Sequence, residues 1–480
     1  MKKFVFASVM AMASLSLVPA HTLRAQDQST LSIQDPAEYN AYQMATTQSD
    51  PKAKAAAIED FLTKYPQSKA KKIVLDMLID TYQQLGDTDK TLSAASRMLQ
   101  VDPSNLKAIY ISVFLKKAQC AKTSDQQTCD DAAALAQKGL SATKPAGISD
   151  DDWKKQTDAT APFFDSAIAV DDMVAKKDPA AAVEEYRKEL SLYPPQQTTS
   201  GPALGDTLQL ALAYVKLQLL DAQAARDAAA KAQATPGDAS LAAAAKAAAD
   251  KAAQDYIQAI WFFARAWNFA PANYKSQIEP QLEYYYKKYH GDLTGLDAVK
   301  TQAAASLFPP ATLNITPAKT PQEQIHDLLA STADLNTLAL ADKETVLSVG
   351  SKEDADKLWA LLQGKQTPVP GTVIESSANQ IKVAVTQDAK DAKTADFIVN
   401  MKEPLTEKEI PPVGSELKLL KDGGPELDGT YDTYTQVPAS ATAAASAQIV
   451  LKDGILQTAK KAPVHKPAAG HHTTTTHPQQ

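Results

Sequence analysis

From about Asp35 to Phe308, apolar residues return every three or four positions, the period of an α-helix with one buried face. The pattern is clearest between Lys72 and Pro103. Leu75, Leu78 and Tyr82 fall at i, i+3 and i+7 and share one face. Gly86-Asp87 then breaks the helix, because glycine accepts the left-handed backbone that a tight exit requires. A second helix carries Leu92, Ala95, Met98 and Leu99 at the same spacing and ends at Asp102-Pro103, since the residue before a proline is pushed out of the α region. Two short amphipathic helices joined by a tight turn cannot hide their apolar faces alone, so the pattern predicts stacking of successive pairs. The second-helix ending recurs. Phe61-Leu62 precede Tyr65-Pro66, and Ala182, Val183, Tyr186 and Leu190 precede Tyr193-Pro194, while Leu210, Ala211 and Tyr214 mark another first helix. Spacing between units stretches along the chain, which predicts inserted loops around Cys120 to Cys129 and Lys144 to Trp153.

The Lys72–Pro103 unit resembles the tetratricopeptide repeat (TPR), a helix-turn-helix of about 34 residues. With Pro103 at the repeat's proline position, Leu75, Leu78, Tyr82, Gly86 and Leu92 fall where the pattern has large apolar, apolar, aromatic, glycine and apolar residues. Two positions depart from it. Ile79 replaces a small residue of the first helix, and Thr91 replaces the alanine that opens the second. The resemblance implies a helical-hairpin solenoid whose inner helices present side chains to an extended peptide or protein segment.

Residues Ala222 to Ala253 are so rich in alanine that they read as a hairpin of slender helices turning at Pro236-Gly237-Asp238. The most aromatic stretch follows, with Tyr256, Trp261, Phe262, Phe263, Trp267 and Phe269, then Tyr274 and Tyr284 to Tyr286. Trp261, Phe262, Trp267 and Tyr285 are candidates for a binding surface. The other reading is that these rings fill an inter-helix core that the alanines leave thin. His290 beside Gly291 reads as a helix C-terminus.

Composition shifts near Phe308-Pro309-Pro310, and two or three helices follow, the best marked from Ser351 to Gly364. After Pro368 the period falls to two. Val373, then Ile381, Val383 and Val385, then Phe397, Val399 and Met401, then Leu417 and Leu419, then Ile449 and Leu451 alternate with polar neighbours. Ser376 to Asn379 reads as a hairpin turn and Pro411 to Gly414 as a sharp loop. Short strands in this density predict a small β-barrel or β-sandwich. The placement of Gly371, Gly414 and Gly429 resembles a five-stranded oligonucleotide/oligosaccharide-binding (OB) barrel, which would imply a ligand face on the central strands. The fold class expected is therefore mainly α, a TPR-like solenoid followed by a small β domain.

The N-terminus orders a basic start (Lys2, Lys3), an apolar run from Phe4 to Leu17, and small residues at Val18-Pro19-Ala20 or Leu23-Arg24-Ala25, the signature of a cleaved export signal of a bacterial type. The division expected is a signal peptide over 1–25, a helical-repeat domain over 26–308, a linker with short helices over 309–367, a β domain over 368–459 and a disordered His/Thr/Pro tail over 460–480. Export places the chain in the periplasm or outside the cell, where Cys120 and Cys129 are expected to form a disulfide stapling a loop. Formal net charge is −7, and no Lys/Arg run interleaved with aromatics speaks for nucleic acid. No later segment is apolar enough to span a bilayer. Gly-x-Ser-x-Gly, phosphate-loop, His-Glu-x-x-His, Cys-x-x-Cys and dinucleotide patterns are absent. Of seven histidines, only His290 and His326 lie outside the signal region and the tail. The function expected is non-catalytic, without cofactor or metal, as an exported scaffold or adaptor for a protein or peptide. The alternative is a carbohydrate- or small-ligand-binding protein acting through the β domain.

Overall fold

The computed structural model describes residues 33–235, 237–437 and 445–457. The chain divides into two compact units, Met1–Ala318 and Lys319–Gln480. The signal expected over 1–25 and the tail over 460–480 lie outside the described residues.

The first unit is helical: α1 (Pro36–Thr47), α2 (Pro51–Lys64), α3 (Lys71–Gln84), α4 (Thr88–Val101), α5 (Leu106–Thr123), α6 (Gln126–Leu140), α7 (Asp150–Val174), α8 (Pro179–Leu192), α9 (Gly201–Ala234), α10 (Ala239–Phe269), α11 (Ala272–His290) and α12 (Leu296–Ala305). Several starts carry an acceptor side chain. Asp50, Asp87, Asn105 and Asp178 each take a hydrogen bond from an otherwise unpaired first-turn N–H, worth about 1 kcal/mol apiece. The first helices α1, α3 and α5 begin at Pro36, Lys71 and Leu106, a repeat of about 35 residues, close to the tetratricopeptide period. Later pairs lengthen. Each helix packs on its neighbours in sequence from α1 to α11, with α5 also against α7 and α12 against α10. This nearest-neighbour packing is that of a helical-repeat array.

In the α3–α4 pair, Val74, Leu75, Leu78, Ile79 and Tyr82 are buried against Ala94, Ala95 and Met98. Gly86 makes the turn with φ of 69°. The two departures from the repeat pattern are accommodated. Ile79 is fully buried, and the buried Thr91 hydroxyl donates to the Asp87 carbonyl at 2.7 Å, so it adds no unpaired group. The loop expected between the cysteines is shorter than its polar composition implied. Only Ser124-Asp125 separates α5 from α6, with Ser124 in the left-handed region, and both cysteines lie within helices. Polar residues there continue the helices because their side chains face solvent.

The alanine-rich segment is part of much longer helices than its composition marks. α9 and α10 run antiparallel, and no described residue from 218 to 251 is buried. Half-buried Ala225, Ala228, Ala229 and Ala232 recur at helical spacing opposite Leu241, Ala245 and Ala248. This seam of small side chains holds together an arm about 25 Å long. The bases of the same helices are deeply buried.

The second unit begins with α13 (Pro321–Ser331), α14 (Leu340–Val349) and α15 (Lys352–Leu362). It continues as β1 (Gln366–Pro368), β2 (Gly371–Ser376), β3 (Gln380–Ala384), α16 (Gln387–Ala392), β4 (Phe397–Met401), β5 (Glu416–Leu417), β6 (Glu426–Val437) and β7 (Ser446–Gln457). The strands form one sheet in the order β1-β6-β7-β4-β3-β2-β5, antiparallel except for the β4–β7 pair. Val373, Ile381, Val383, Phe397, Val399, Leu427, Tyr431, Ile449 and Leu451 share a core with Leu347, Leu358 and Leu362 of the helices. The Ser376–Asn379 turn and the Pro411–Gly414 loop sit where expected, Ser377 donating to Gln380 and Gly414 having φ of 84°. Among the described residues the sheet has seven strands and two ends, which does not reproduce the five-stranded count behind the OB resemblance. β1 and the polar half of β6 lack the apolar alternation that counting relied on. The end strands β1 and β5 are only three and two residues long, which limits the backbone open to stray pairing.

Candidate functional site

The aromatic candidates separate by burial. Trp261 and Phe262 are fully buried. The Trp261 indole N–H donates to the Leu307 carbonyl at 3.1 Å, and Phe262 stacks on Tyr214 with Phe308 edge-on. Neither ring offers a surface; both fill the space between α9, α10 and the segment after α12. Trp267 is half-buried between the ammonium groups of Lys275 and Lys300, 4.6 and 4.0 Å from its ring centre. Tyr285 is half-buried, stacked on Phe263 and edge-on to Tyr284. Tyr284, with 57% exposure, is the open member of this group. The rings chosen from sequence therefore form one packed cluster, with solvent access at its Tyr284 margin.

A second constellation joins helix pairs through charge. Lys117, on α5, donates to both carboxylate oxygens of Asp206 on α9 at 3.2 Å and to the Ser166 hydroxyl on α7. Ser166 in turn donates to Asp206 at 2.7 Å. Three first helices meet at this node. A matching contact lies one pair earlier, where Lys107 of α5 bridges Asp76 and Asp80 of α3 at 2.8 and 2.7 Å. Lys188 of α8 reaches the fully buried Asp165 of α7 at 2.8 Å. Burial raises the Asp165 carboxyl above the usual carboxylate range, against the pull of Lys188.

Glu189, on α8, completes the node and is fully buried. Burial first, and the Asp206 charge second, push its carboxyl well above the ordinary range. Burial also raises Tyr193, with Glu189 and Asp206 adding to the effect, and pushes Tyr110 up to about 12. The node is thus a buried junction of one ion pair and one carboxyl whose proton is held more tightly than usual.

Cys120 and Cys129 are buried and bonded, with sulfurs 2.05 Å apart. In the second unit a shallow depression of about 370 Å³ is lined by Lys319, His326, Ser351 and Asp354, among others. The His326 ring nitrogen lies 3.2 Å from Asp354, and Ser351 donates to that same carboxylate rather than to the imidazole. The serine is therefore not placed for activation by the histidine. His290 is the last residue of α11, with its Nδ1 2.7 Å from the Thr316 carbonyl, and Gly291 caps the helix. Among the described residues, no group of three or more His, Cys, Asp or Glu side chains is arranged to hold a metal ion.

Lys117, Ser166, Glu189 and Asp206 do not stand out from surface acids and bases by residue type. A local signal did exist. Glu189 falls on the same helical stripe as Ala182, Val183, Tyr186 and Leu190, and Asp206 on that of Ala203, Leu210 and Ala211. A charge on an apolar stripe marks a buried partner.

No known family profile matches the chain, and no curated protein matches it. Among solved structures, a thermophilic TPR protein of Thermus thermophilus is similar at 15% identity, covering 44% of this chain and 98% of that one, with a TM-score of 0.22. Among the described residues no helix is long and apolar enough to cross a membrane.

Proposed function

We propose that the protein is a non-catalytic interaction scaffold whose first helices, α3, α5, α7 and α9, carry the face that receives a peptide or protein segment. One observation carries the reading. Helices packed chiefly on their sequence neighbours form an array, and such an array leaves a run of first-helix side chains on one face open to a ligand. The Lys107 and Lys117 bridges tie α5 to α3 and to α9, and so hold the first helices at fixed spacing. Rigid spacing lowers the ordering cost of binding an extended segment. The buried disulfide accords with an oxidising compartment, such as the periplasm or the cell exterior.

The test is affinity capture from the source organism's envelope and secreted fractions, with partners identified by mass spectrometry. Capture by the full chain should be lost when Asp76 and Asp80 are both changed to Lys, with far-UV circular dichroism unchanged. Capture that survives this change but is lost on substituting the sheet residues Lys382 and Lys452 would move the function to the β domain. Turnover of an envelope substrate by the purified chain would refute a non-catalytic role.

A further inference from the structure

Neither oxygen of the Glu189 carboxyl meets a hydrogen-bond donor, although the side chain has no exposure at all. Its polar neighbour within bonding reach is the Asp206 carboxylate, which can only accept, so Glu189 joins it only by keeping its own proton. The groups around it are Lys117 and Tyr110 from α5, Asp165 and Ser166 from α7, Tyr186, Lys188 and Tyr193 from its own α8 end, and Asp206 from α9. Both cations are engaged, Lys117 by Asp206 and Lys188 by Asp165. A second negative charge beside Asp206 would be desolvated and would share one ammonium, which low-dielectric surroundings make costly. We propose that the α5/α7/α8/α9 joint is a proton-dependent latch, closed while Glu189 carries its proton and loosened when that proton leaves.

The latch changes the relation between successive helix pairs. If α3, α5, α7 and α9 form the binding face, it also tunes that face; this last consequence rests on the proposed function, whereas the latch does not. The sign follows from where the proton is held. The closed joint keeps the proton at pH values where an open, hydrated Glu189 gives it up. Opening therefore releases a proton. The opening equilibrium rises by up to about tenfold per pH unit above the ordinary glutamate range.

The experiment is hydrogen exchange on the full oxidised chain from pH 5 to pH 9, corrected for the intrinsic pH dependence of exchange. Protection of α8 and of the first half of α9 should fall with rising pH in the wild type by up to about tenfold per unit, while α1 to α3 stay level. Glu189→Gln keeps the shape and removes the charge, so its protection should be flat. Infrared spectroscopy of the wild type, with Glu189→Gln subtracted, should show a protonated-carboxyl band at neutral pH. If the variant fails to fold, isotope-edited glutamate carboxyl bands in a Glu344→Gln background, which removes the other raised glutamate, give the same information. An ionised Glu189 at neutral pH, or equal pH dependence in wild type and variant, overturns the latch. A working latch with partner capture indifferent to pH would leave it standing and count against the first-helix binding face.

Discussion

Removing the Cys120–Cys129 bond tests whether the α5–α6 pair depends on its cross-link. The bond closes a loop with a sequence separation of nine. The chain-entropy relation for a loop of that size gives about 2.6 kcal/mol at 25 °C, by restricting the unfolded chain. Two details of the structure bear on the number. Both cysteines are buried, so Cys→Ala at each position also loses packing, of the order of 1 kcal/mol for each sulfur removed. Helices α5 and α6 are joined by a two-residue turn, so the thiols stay close after reduction and the native state is little altered. Reduction therefore isolates the cross-link, and the double alanine variant adds the packing loss. The assay is urea unfolding followed by far-UV circular dichroism, for oxidised, reduced and Cys120→Ala/Cys129→Ala protein, paired with hydrogen exchange resolved by helix. Exchange should accelerate first in α5 and α6, because an array opens locally. Oxidised and reduced proteins agreeing within about 0.5 kcal/mol, well below the loop contribution of about 2.6 kcal/mol, would refute the chain-entropy reasoning here.

Lys117→Met leaves the Asp206 charge without a cation and should cost about 3 kcal/mol by urea unfolding; adding Asp206→Asn should recover most of it, because no buried charge is then left unpaired. Trp261→Ala should cost about 3–5 kcal/mol and weaken the near-ultraviolet circular dichroism, since the ring is fully buried. In the second unit, burial pushes the Glu344 carboxyl up to about 7 from 4.5, with Asp396 adding to the effect. Its folded-state value is raised, so stability is highest in acid and falls as pH rises from the ordinary glutamate range to about 7, by about 3 kcal/mol at most. Glu344→Gln should remove that dependence in thermal melts of the second unit. Replacing residues 222–250 with a short glycine-rich turn should lower helix content while leaving the unfolding midpoint of the remaining array unchanged, because none of the arm's described residues is buried.

The periodic signal located the repeat pairs well where it was strong. Leu75, Leu78 and Tyr82 are buried as their spacing predicts, and Gly86 turns the chain between α3 and α4. The helix from Ser351 and the hairpin at Ser376–Asn379 were legible for the same reason, since caps and turns are written in a few adjacent residues. The candidate site was far less legible. Trp261 and Phe262 read equally well as a surface or as a core, because aromatic rings serve both. Glu189 and Asp206 carry no local mark beyond their place on an apolar stripe.

Sequence by itself determined the local units here: helices from apolar recurrence, their ends from Asp, Asn, Gly and Pro, and strands from alternation after Pro368. Those features depend on interactions within about one turn of chain. Tertiary structure alone decided that Lys117, Ser166 and Asp206, far apart in the chain, share one hydrogen-bonded node, and that Glu189 closes it with no donor at hand. It also decided that β6 pairs with both β1 and β7 and that β4 runs parallel to β7. Such long-range pairings, and the loss of water that gives a buried charge its cost, arise only when distant segments pack together.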